Sequence, residues 1–506
     1  MTLLEKYKKR LAISEGLYAK YNNGAVIPMD RKIITAQILE NQNKYLTETY
    51  GDQSVSTQRS DIGMMKKFVM DVATLALPNF IAPDLVLTKP IDNFNGYITY
   101  YEYSKASNKG ESSVGDMIVN PFRNGKVDPN YTSQTVIENA TLGEDNKTLT
   151  LKWDPIIPGT VEFTIGDNTF FDGGDGKIYQ GTYASKVFTA EQKDANGHIE
   201  GVAGRFIVDA GTATEVGTIT YGYKKAKSVT GDIYDEEPAA IVFTNALVGV
   251  TTPVKVNYLY NNIAINQHEI PYITVQQKGI YVTCEARKIA IEYSQMAAYQ
   301  YKKEYGENLG ARLEQVAIHT LKYETDVEVT NLLVKNARLD DSLTFNIAVP
   351  TGISLAQHFA GFARKVLQGQ QKVYEATQKF TPNYMLAGTE FMSILPLCEG
   401  FKQAANLASV NGPYYFGTYN GMKVYITPNM PADRYVLGVN GNDLGTSAAV
   451  WAPFLAITPT ASLETPDGTN TKGYSSVYAL QLLNKDLLIA GKIVEEPQVI
   501  NISAQE

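Results

Sequence analysis

The sequence predicts an α+β fold of several domains, and three observations carry that expectation. Gly306 to Ala337 contains no proline and reads as one long helix. From Val114 to about Val250 the text changes to short runs, TLTLKW, TVEFTI, FIVDA, GTITYGY and AAIVFTNA, separated by Gly, Asn and Asp clusters, the signature of strands and turns. Beyond Ala337, helical and strand patterns mix without the repeating βαβ order of a doubly wound nucleotide-binding fold. At 506 residues the chain exceeds a single compact core, so about two to four domains are expected.

The elements follow in order. Leu3 to Lys20 reads as a short amphipathic helix, with Leu4, Tyr7, Leu11, Ile13 and Leu17 near one face and Lys8, Lys9, Arg10 and Glu15 largely opposite. Ile34 to Tyr50 is a second helical stretch, and the polar run GDQSVSTQRSDIG after it looks like a linker. From Asp71, apolar runs broken by Pro78, Pro83 and Pro90 suit an extended segment better than a helix. Gly96 to Gly110, rich in Tyr, Ile and Thr, reads as a strand ending in a turn. After the β-rich stretch, VKVNYLY and ITVQQKGIYVTCEARKIAIEY, within Val254 to Tyr293, read as strands, and SQMAAYQYKKEYG reads as a helix. Pairing VKVNYLY with Gly96 to Ser104 would make a two-stranded antiparallel ribbon.

In the long helix, Leu309, Leu313, Val316, Ala317 and Thr320 follow helical spacing, continuing less cleanly through Val327 to Val334. Thirty residues of helix reach about 45 Å, enough to cross a domain. Further helices are expected at Leu355 to Gln378 and Glu390 to Gly400. Strands are expected at Met422 to Ile426, Tyr435 to Val439, Ala448 to Ile457 and Tyr474 to Leu482.

Composition narrows the function. A hydrophobic fraction of 44% with 19% charged residues is ordinary for a globular protein. The net charge of −8 disfavours phosphate gripping as the main task, although one face could still meet DNA. Cys284 and Cys398 stand far apart, too few for a disulfide framework or a metal knuckle, and read as buried thiols. The best apolar run, Thr74 to Leu87, is broken by Pro78, Pro83 and Asp84, so no membrane span is expected. The charged N-terminus lacks the apolar core of a secretory signal.

No catalytic constellation is legible, and no cofactor or metal is expected. His198, His268, His319 and His358 lack the companions of a zinc motif, and neither a GxSxG elbow nor a GxxxxGK[ST] loop is present. FFDGGDGKIYQG, at Phe170 to Gly181, resembles part of a calcium loop in Asp172 and Asp175, but lacks the closing Glu and reads better as a glycine-rich turn. The carboxylates Asp232, Asp235, Glu236 and Glu237 share one stretch, GDIYDEEP, more consistent with a solvated turn than with a hydrolytic pair. Basic clusters at Lys8-Lys9-Arg10, Lys66-Lys67 and Lys224-Lys225-Ala226-Lys227 read as solvated faces. Tyrosine is plentiful, 33 residues against 18 Phe and 2 Trp, and suits wetted surfaces that become contacts.

Four stretches, in this order, resemble the major capsid proteins of tailed bacteriophages with the Hong Kong 97-like fold, in particular the T-even-type and crAss-like branches. They are ILENQNKYL at Ile38 to Leu46, Leu77 to Gly110, Glu285 to Leu333, and FGTYNGMKVYITPNMPADRYVLG followed by AAVWAPFLAITP. The resemblance implies an N-terminal arm over 1–88 and an extended loop whose strands occupy 89–113 and 254–278. It implies a peripheral domain over 279–380 with a spine helix at about 308–337, an axial domain over 381–482, and a return to the peripheral domain over 483–506. The stretch 114–253 would be an all-β insertion domain in the extended loop.

By the same resemblance the chain would be a non-enzymatic, structural subunit of an icosahedral head. It would form hexamers, with pentamers left open, around packaged double-stranded DNA that it touches only non-specifically. Partners would be copies of itself, a portal, a separate vertex protein, a scaffold during assembly, and decoration or fibre proteins on the insertion domain, with no membrane. Its place would be the virion shell, assembled in the bacterial cytoplasm. Tyr97, Tyr100, Tyr101 and Tyr258 on the ribbon are the expected intersubunit contacts, and Leu309, Leu313, Val316, Ala317 and Val327 the expected packing residues of the spine. Leu46-Thr47-Glu48 resembles a head-protease pattern with its cut between Glu48 and Thr49. No lysine can be assigned to a covalent chainmail. A β-rich polysaccharide hydrolase or lyase, and a tail-sheath or surface-layer subunit, are the alternatives.

Overall fold

The computed structural model describes residues 2–21, 26–51, 69–77, 80–110, 112–125, 128, 130–187, 205–208, 212–222, 238–247, 250, 253–260, 271–350, 352–404, 412–460 and 462–496. The carboxylates of GDIYDEEP, His198, His268, Lys66-Lys67 and Lys224 to Lys227 lie outside them. The chain divides into two units, one made of Met1–Tyr100, Pro121–Asn124 and Gln277–Glu506, the other of Tyr101–Asn120 and Gly125–Gln276.

The first unit holds two sheets. One runs in the order Leu87–Thr88, Ala449–Pro459, Thr469–Leu482, Glu285–Ser294. The other is eight-stranded and mixed, with Tyr384–Ala387 parallel to Met422–Ile426 and antiparallel to Arg434–Gly438. Their shared core gathers Phe362, Phe391, Tyr419 and Tyr435 with Leu321, Val329 and Leu333 of the long helix. The predicted strands of this region form with small shifts at their ends. The helix expected at Leu355 spans Leu355–Thr377 behind a Ser354 cap, whereas Glu390 to Gly400 yields only Phe391–Ile394 and a tight turn through Pro396.

The long helix spans Leu309–Asn336, 28 residues, without interruption. Gly306 at φ 72° closes the preceding helix Gln295–Tyr305, a left-handed conformation that glycine adopts without strain. Asn308 then caps the new helix, its side-chain oxygen accepting from the Gly310 and Ala311 amides. The face it buries differs from the expected one. Ala317, Leu321, Thr325, Val329 and Leu333, each four residues on, are buried together with Asp326 and Thr330. Leu309, Leu313 and Val327 are only half-buried, and Val316 is 52% exposed. The true stripe was hidden because three of its members are polar. Thr325 and Thr330 satisfy their hydroxyls on the carbonyls of Leu321 and Val327, so they bury at little cost.

Proline at Val316 should lower stability by about 3 kcal/mol or more by removing one helical hydrogen bond and crowding the preceding turn. Thermal unfolding and the far-ultraviolet helical signal of Val316→Pro check it. A variant indistinguishable from wild type would mean that the helix is not continuous there.

The segment after Asp71 corrects a second expectation. Residues 69–76 are helical, and Ala82–Leu85 forms another short helix, so only the part from Leu87 is extended. Pro78 follows the first helix, and Pro83 sits in the first turn of the second, where its missing amide costs nothing. Both pieces bury apolar residues, Val72 and Ala76 in the first, Ala82 and Leu85 in the second. At the N-terminus, Leu3–Lys6 and Lys8–Tyr21 replace one helix, and Met29–Gly51 extends the second. The Glu48–Thr49 bond lies in its last turn, with Leu46 buried.

The second unit is an antiparallel sheet in the order Thr135–Ala140, Val254–Leu259, Glu162–Ile165, Asn168–Asp172, Lys177–Gln180, Thr214–Thr220, Ala240–Phe243, Thr148–Thr150. A ring cluster of Phe163, Phe170 and Phe243 fills its core, with Phe163 and Phe170 stacked at 5.1 Å. Here the expected ribbon is corrected. Val254–Leu259 pairs with Thr135–Ala140 and Glu162–Ile165, and the partner of Asn95–Lys105 is Ile273–Thr283. The burial alternation of VKVNYL explains it: Val254, Val256 and Tyr258 make one wholly apolar face that needs a core. ITVQQKGIYVT carries a mostly exposed pattern that a ribbon tolerates.

Candidate assembly surfaces

Asn95–Lys105 and Ile273–Thr283 are each 11 residues long and lie side by side in a three-stranded sheet with Met117–Val119 at its other edge. Only Ile98, Ser104 and Lys105 of the first strand and Val282 of the second are buried, so most of both faces meets solvent. Tyr97 is 68% exposed and lies 5.6 Å from the ring of Tyr281. Gly279 makes this possible: a β-carbon there would sit 2.5 Å from the Tyr97 ring. Tyr101 is 54% exposed. Tyr100 is half-buried and packs edge-on against Phe122 at 5.2 Å. The sequence thus located Tyr97 and Tyr101 on an open face, and missed Tyr281, whose place opposite Tyr97 depends on the pairing it had assigned elsewhere.

Tyr258 is not on this surface. It is 1% exposed in the core of the second unit, and its hydroxyl accepts from the Trp153 amide at 3.2 Å. Burial and the neighbouring Glu138 push its phenol well above the ordinary range.

The long helix is tied to the sheet and to the 81–82 segment by polar groups, partly exposed at Glu328 and Arg287 and buried at Asp326. Glu328 accepts from Arg287 at 2.5 Å and from the Tyr478 hydroxyl at 2.6 Å, while the Arg287 guanidinium lies 4.2 Å from the Tyr478 ring. Asp326 accepts from the Ile81 amide at 3.0 Å and the Ala82 amide at 3.4 Å, holding the start of a short helix, and pairs with Lys322 at 3.1 Å. Apart from Lys322, one turn before Asp326 on the same helix, these partners come from remote segments and are not visible in sequence.

Most of the remaining chemistry-bearing groups singled out by sequence have structural partners or are buried thiols. Among the described residues no three His, Cys, Asp or Glu gather as for a metal. His358 bonds the Asn346 carbonyl at 2.8 Å, and His319 is exposed on the helix. Cys284 and Cys398 are buried thiols, with burial pushing Cys284 up to about 11. Lys109 is enclosed by the carbonyls of Asn130, Tyr131 and Ser133 and lies 4.8 Å from the Tyr260 ring; burial lowers its ammonium to about 8.

FFDGGDGKIYQG is a hairpin between Asn168–Asp172 and Lys177–Gln180, with Gly174 and Gly176 at positive φ. Its Asp172 is buried and accepts from the amides of Gly159 and Gly174 and from the Tyr221 hydroxyl. Burial pushes its carboxyl up to about 6. The folded form therefore favours the protonated acid, and this contribution to stability is full below an ordinary carboxylate pKa near 4 and is lost as pH rises through about 6. Melting temperature should fall over that interval, and Asp172→Asn should flatten the fall. An equally steep profile in the variant would assign the dependence to other groups, such as Glu138, which burial also raises.

Tyr97, Tyr101 and Tyr281, exposed on solvated strands, are the kind of aromatic surface found where proteins assemble with one another. The family model of the major capsid protein Gp23 matches residues 62–496. The chain belongs to this family of major capsid proteins and is a structural subunit of a capsid, the shell of a virion. The hydrolase, tail-sheath and surface-layer alternatives give way to that membership. Among solved structures, the chain is similar to that of Mycobacterium phage Cain at 14% identity, covering 48% of this chain and 82% of that one with a TM-score of 0.31. It is similar to the capsid of Myoviridae phage XM1 at 9% identity, over 46% and 80%, with a TM-score of 0.32. For the mature capsid of bacteriophage PhiM1 the values are 11%, 44% and 76%, with a TM-score of 0.30. No curated protein matches the chain.

Proposed function

We propose that this subunit builds the icosahedral head of a tailed bacteriophage, self-assembling into hexamers in a Hong Kong 97-like arrangement around double-stranded DNA. The observation that carries the reading is the strand pair Asn95–Lys105 and Ile273–Thr283, with Tyr97, Tyr101 and Tyr281 open to solvent. The third strand, Met117–Val119, pairs only with Tyr103 and Ser104, so most of the pair's length is two-stranded; such ribbons are marginal in water and gain stability from a covering surface, which a neighbouring copy supplies in a shell. The acidic balance of −8 lets DNA lie against the wall without being gripped.

In this reading the first unit forms the wall, with peripheral and axial parts, and the second unit is an insertion that offers a platform for decoration or fibre proteins. Portal, vertex and scaffold proteins complete the partners, and assembly takes place in the bacterial cytoplasm. Electron microscopy of the expressed chain tests it: closed shells or hexameric capsomers support it, while isolated particles, tubes or sheets contradict it. The arm carries a separate test. A particle protein beginning at Thr49 supports head-protease cleavage, and an intact N-terminus refutes it.

The insertion can be tested by excision at boundaries that respect its sheet. Cutting at 119–250 would strand the apolar face of Val254, Val256 and Tyr258. Replacing 126–271 with a short Gly/Ser linker should instead leave a soluble first unit with its helical signal retained. Precipitation with loss of that signal would make the insertion part of the wall's own core.

A further inference from the structure

The strand Glu285–Ser294 ends its sheet. On one side it makes ten consecutive registered pairs with Thr469–Leu482, without a bulge. Among the described residues no strand pairs with its other side. Ten residues span about 33 Å, and open edges of that length are ordinarily blunted by a proline, a bulge, charged side chains or a cover. This one has neither proline nor bulge; its protection is charge, with Lys288 and Glu292 on the exposed face, which keeps out an unmatched strand and admits one that sets opposite charges across from them.

Its two faces differ. Ile289 and Ile291 pack on the core and Arg287 binds Glu328 of the spine helix. The opposite face, Ala286, Lys288, Ala290, Glu292 and Ser294, is exposed. Neither Lys288 nor Glu292 has an ion-pair partner among the described residues. Their spacing is symmetric about Ala290: two residues before it stands a cation, two residues after it an anion.

We propose that this edge pairs antiparallel with the same edge of a second copy, about a two-fold axis through Ala290. In that register Lys288 faces Glu292 of the second copy and Glu292 faces its Lys288, Ala290 faces itself, Ala286 faces Ser294, and Ile289 faces Ile291. Opposite charges directly across a strand pair stabilise it, and like charges destabilise it. Moving the centre to Lys288 or to Glu292 sets like charges face to face. The contact is isologous and closes on itself, so it joins subunits in pairs without propagating a fibre. The inference rests on the reading that copies of this chain assemble with one another.

Ala290→Cys tests the axis. Directly opposed residues of an antiparallel pair have Cα atoms about 4.5–5.5 Å apart, within disulfide reach, and the native thiols are buried. Copper-phenanthroline oxidation of assembled particles should convert Ala290→Cys to a covalent dimer on a non-reducing gel, and leave an Ala286→Cys control monomeric. Lys288→Glu and Glu292→Lys should each lower particle yield severalfold with unchanged unfolding of the free subunit, and the two together should restore it. Particles whose Ala290→Cys chains stay monomeric, or a double variant no better than the singles, would overturn the pairing while leaving the shell reading intact. If the wild-type chain makes no particles by itself, its unaided self-assembly fails. Oxidation of the concentrated soluble Ala290→Cys subunit then decides the edge alone, a dimer supporting the pairing and a monomer refuting it.

Discussion

Asp326→Ala is expected to destabilise the first unit by about 3–5 kcal/mol, the range seen when one partner of a buried charge pair is removed. The carboxylate is 1% exposed and has three partners: the Ile81 and Ala82 amides and the Lys322 ammonium. Alanine leaves two amides at the start of a buried helix without an acceptor, each worth about 1–3 kcal/mol when unsatisfied. Asp326→Asn keeps an oxygen facing those amides and should lose less. Denaturant unfolding reads this as a lower midpoint at constant slope. An Ala variant with the wild-type midpoint would mean that the Ala82–Leu85 helix is not pinned to the long helix at this point.

Tyr258→Ser should destabilise the second unit by about 3–5 kcal/mol, as for other large-to-small changes of buried aromatics. It empties a position between Thr135–Ala140 and Glu162–Ile165 and removes the hydroxyl that accepts from Trp153. Tyr258→Phe keeps the ring and should cost about 1–2 kcal/mol. Tyr101→Ser, on the open strand, should leave unfolding of the free subunit unchanged while reducing particle yield. Opposite behaviour, with Tyr101 mattering to folding and Tyr258 to assembly alone, would reverse the assignment of these two strands.

The contrast between Tyr101 and Tyr258 shows what the sequence made legible. Alternation identified both Gly96 to Ser104 and VKVNYLY as strands, because period-two patterning is local. Which strands pair is set by what each face must bury. The apolar face of Val254, Val256 and Tyr258 called for a core, while ITVQQKGIYVT, interrupted by Gln276, Gln277, Lys278 and Gly279, has no continuous apolar face and tolerated an exposed ribbon. The long helix was legible from its proline-free run and helical apolar spacing, and its rotation was not. Thr325, Asp326 and Thr330 lie on the buried stripe through hydrogen bonds to the helix's own carbonyls and, for Asp326, to Ile81 and Ala82, so apolar spacing alone pointed toward Val316. The prolines after Asp71 were read as excluding helix, yet residues 69–76 are helical and Pro83 sits in the first turn of Ala82–Leu85.

The central claim is that the strand pair Asn95–Lys105 and Ile273–Thr283 is completed by another copy. Amide hydrogen exchange, compared peptide by peptide between the free subunit and the assembled particle, tests it most directly. The account predicts strong protection on assembly at 95–105 and 273–283, with little change at 254–259, whose amides are already held within the second unit's sheet. Exchange at 95–105 and 273–283 that is equally fast in particle and free subunit would contradict it.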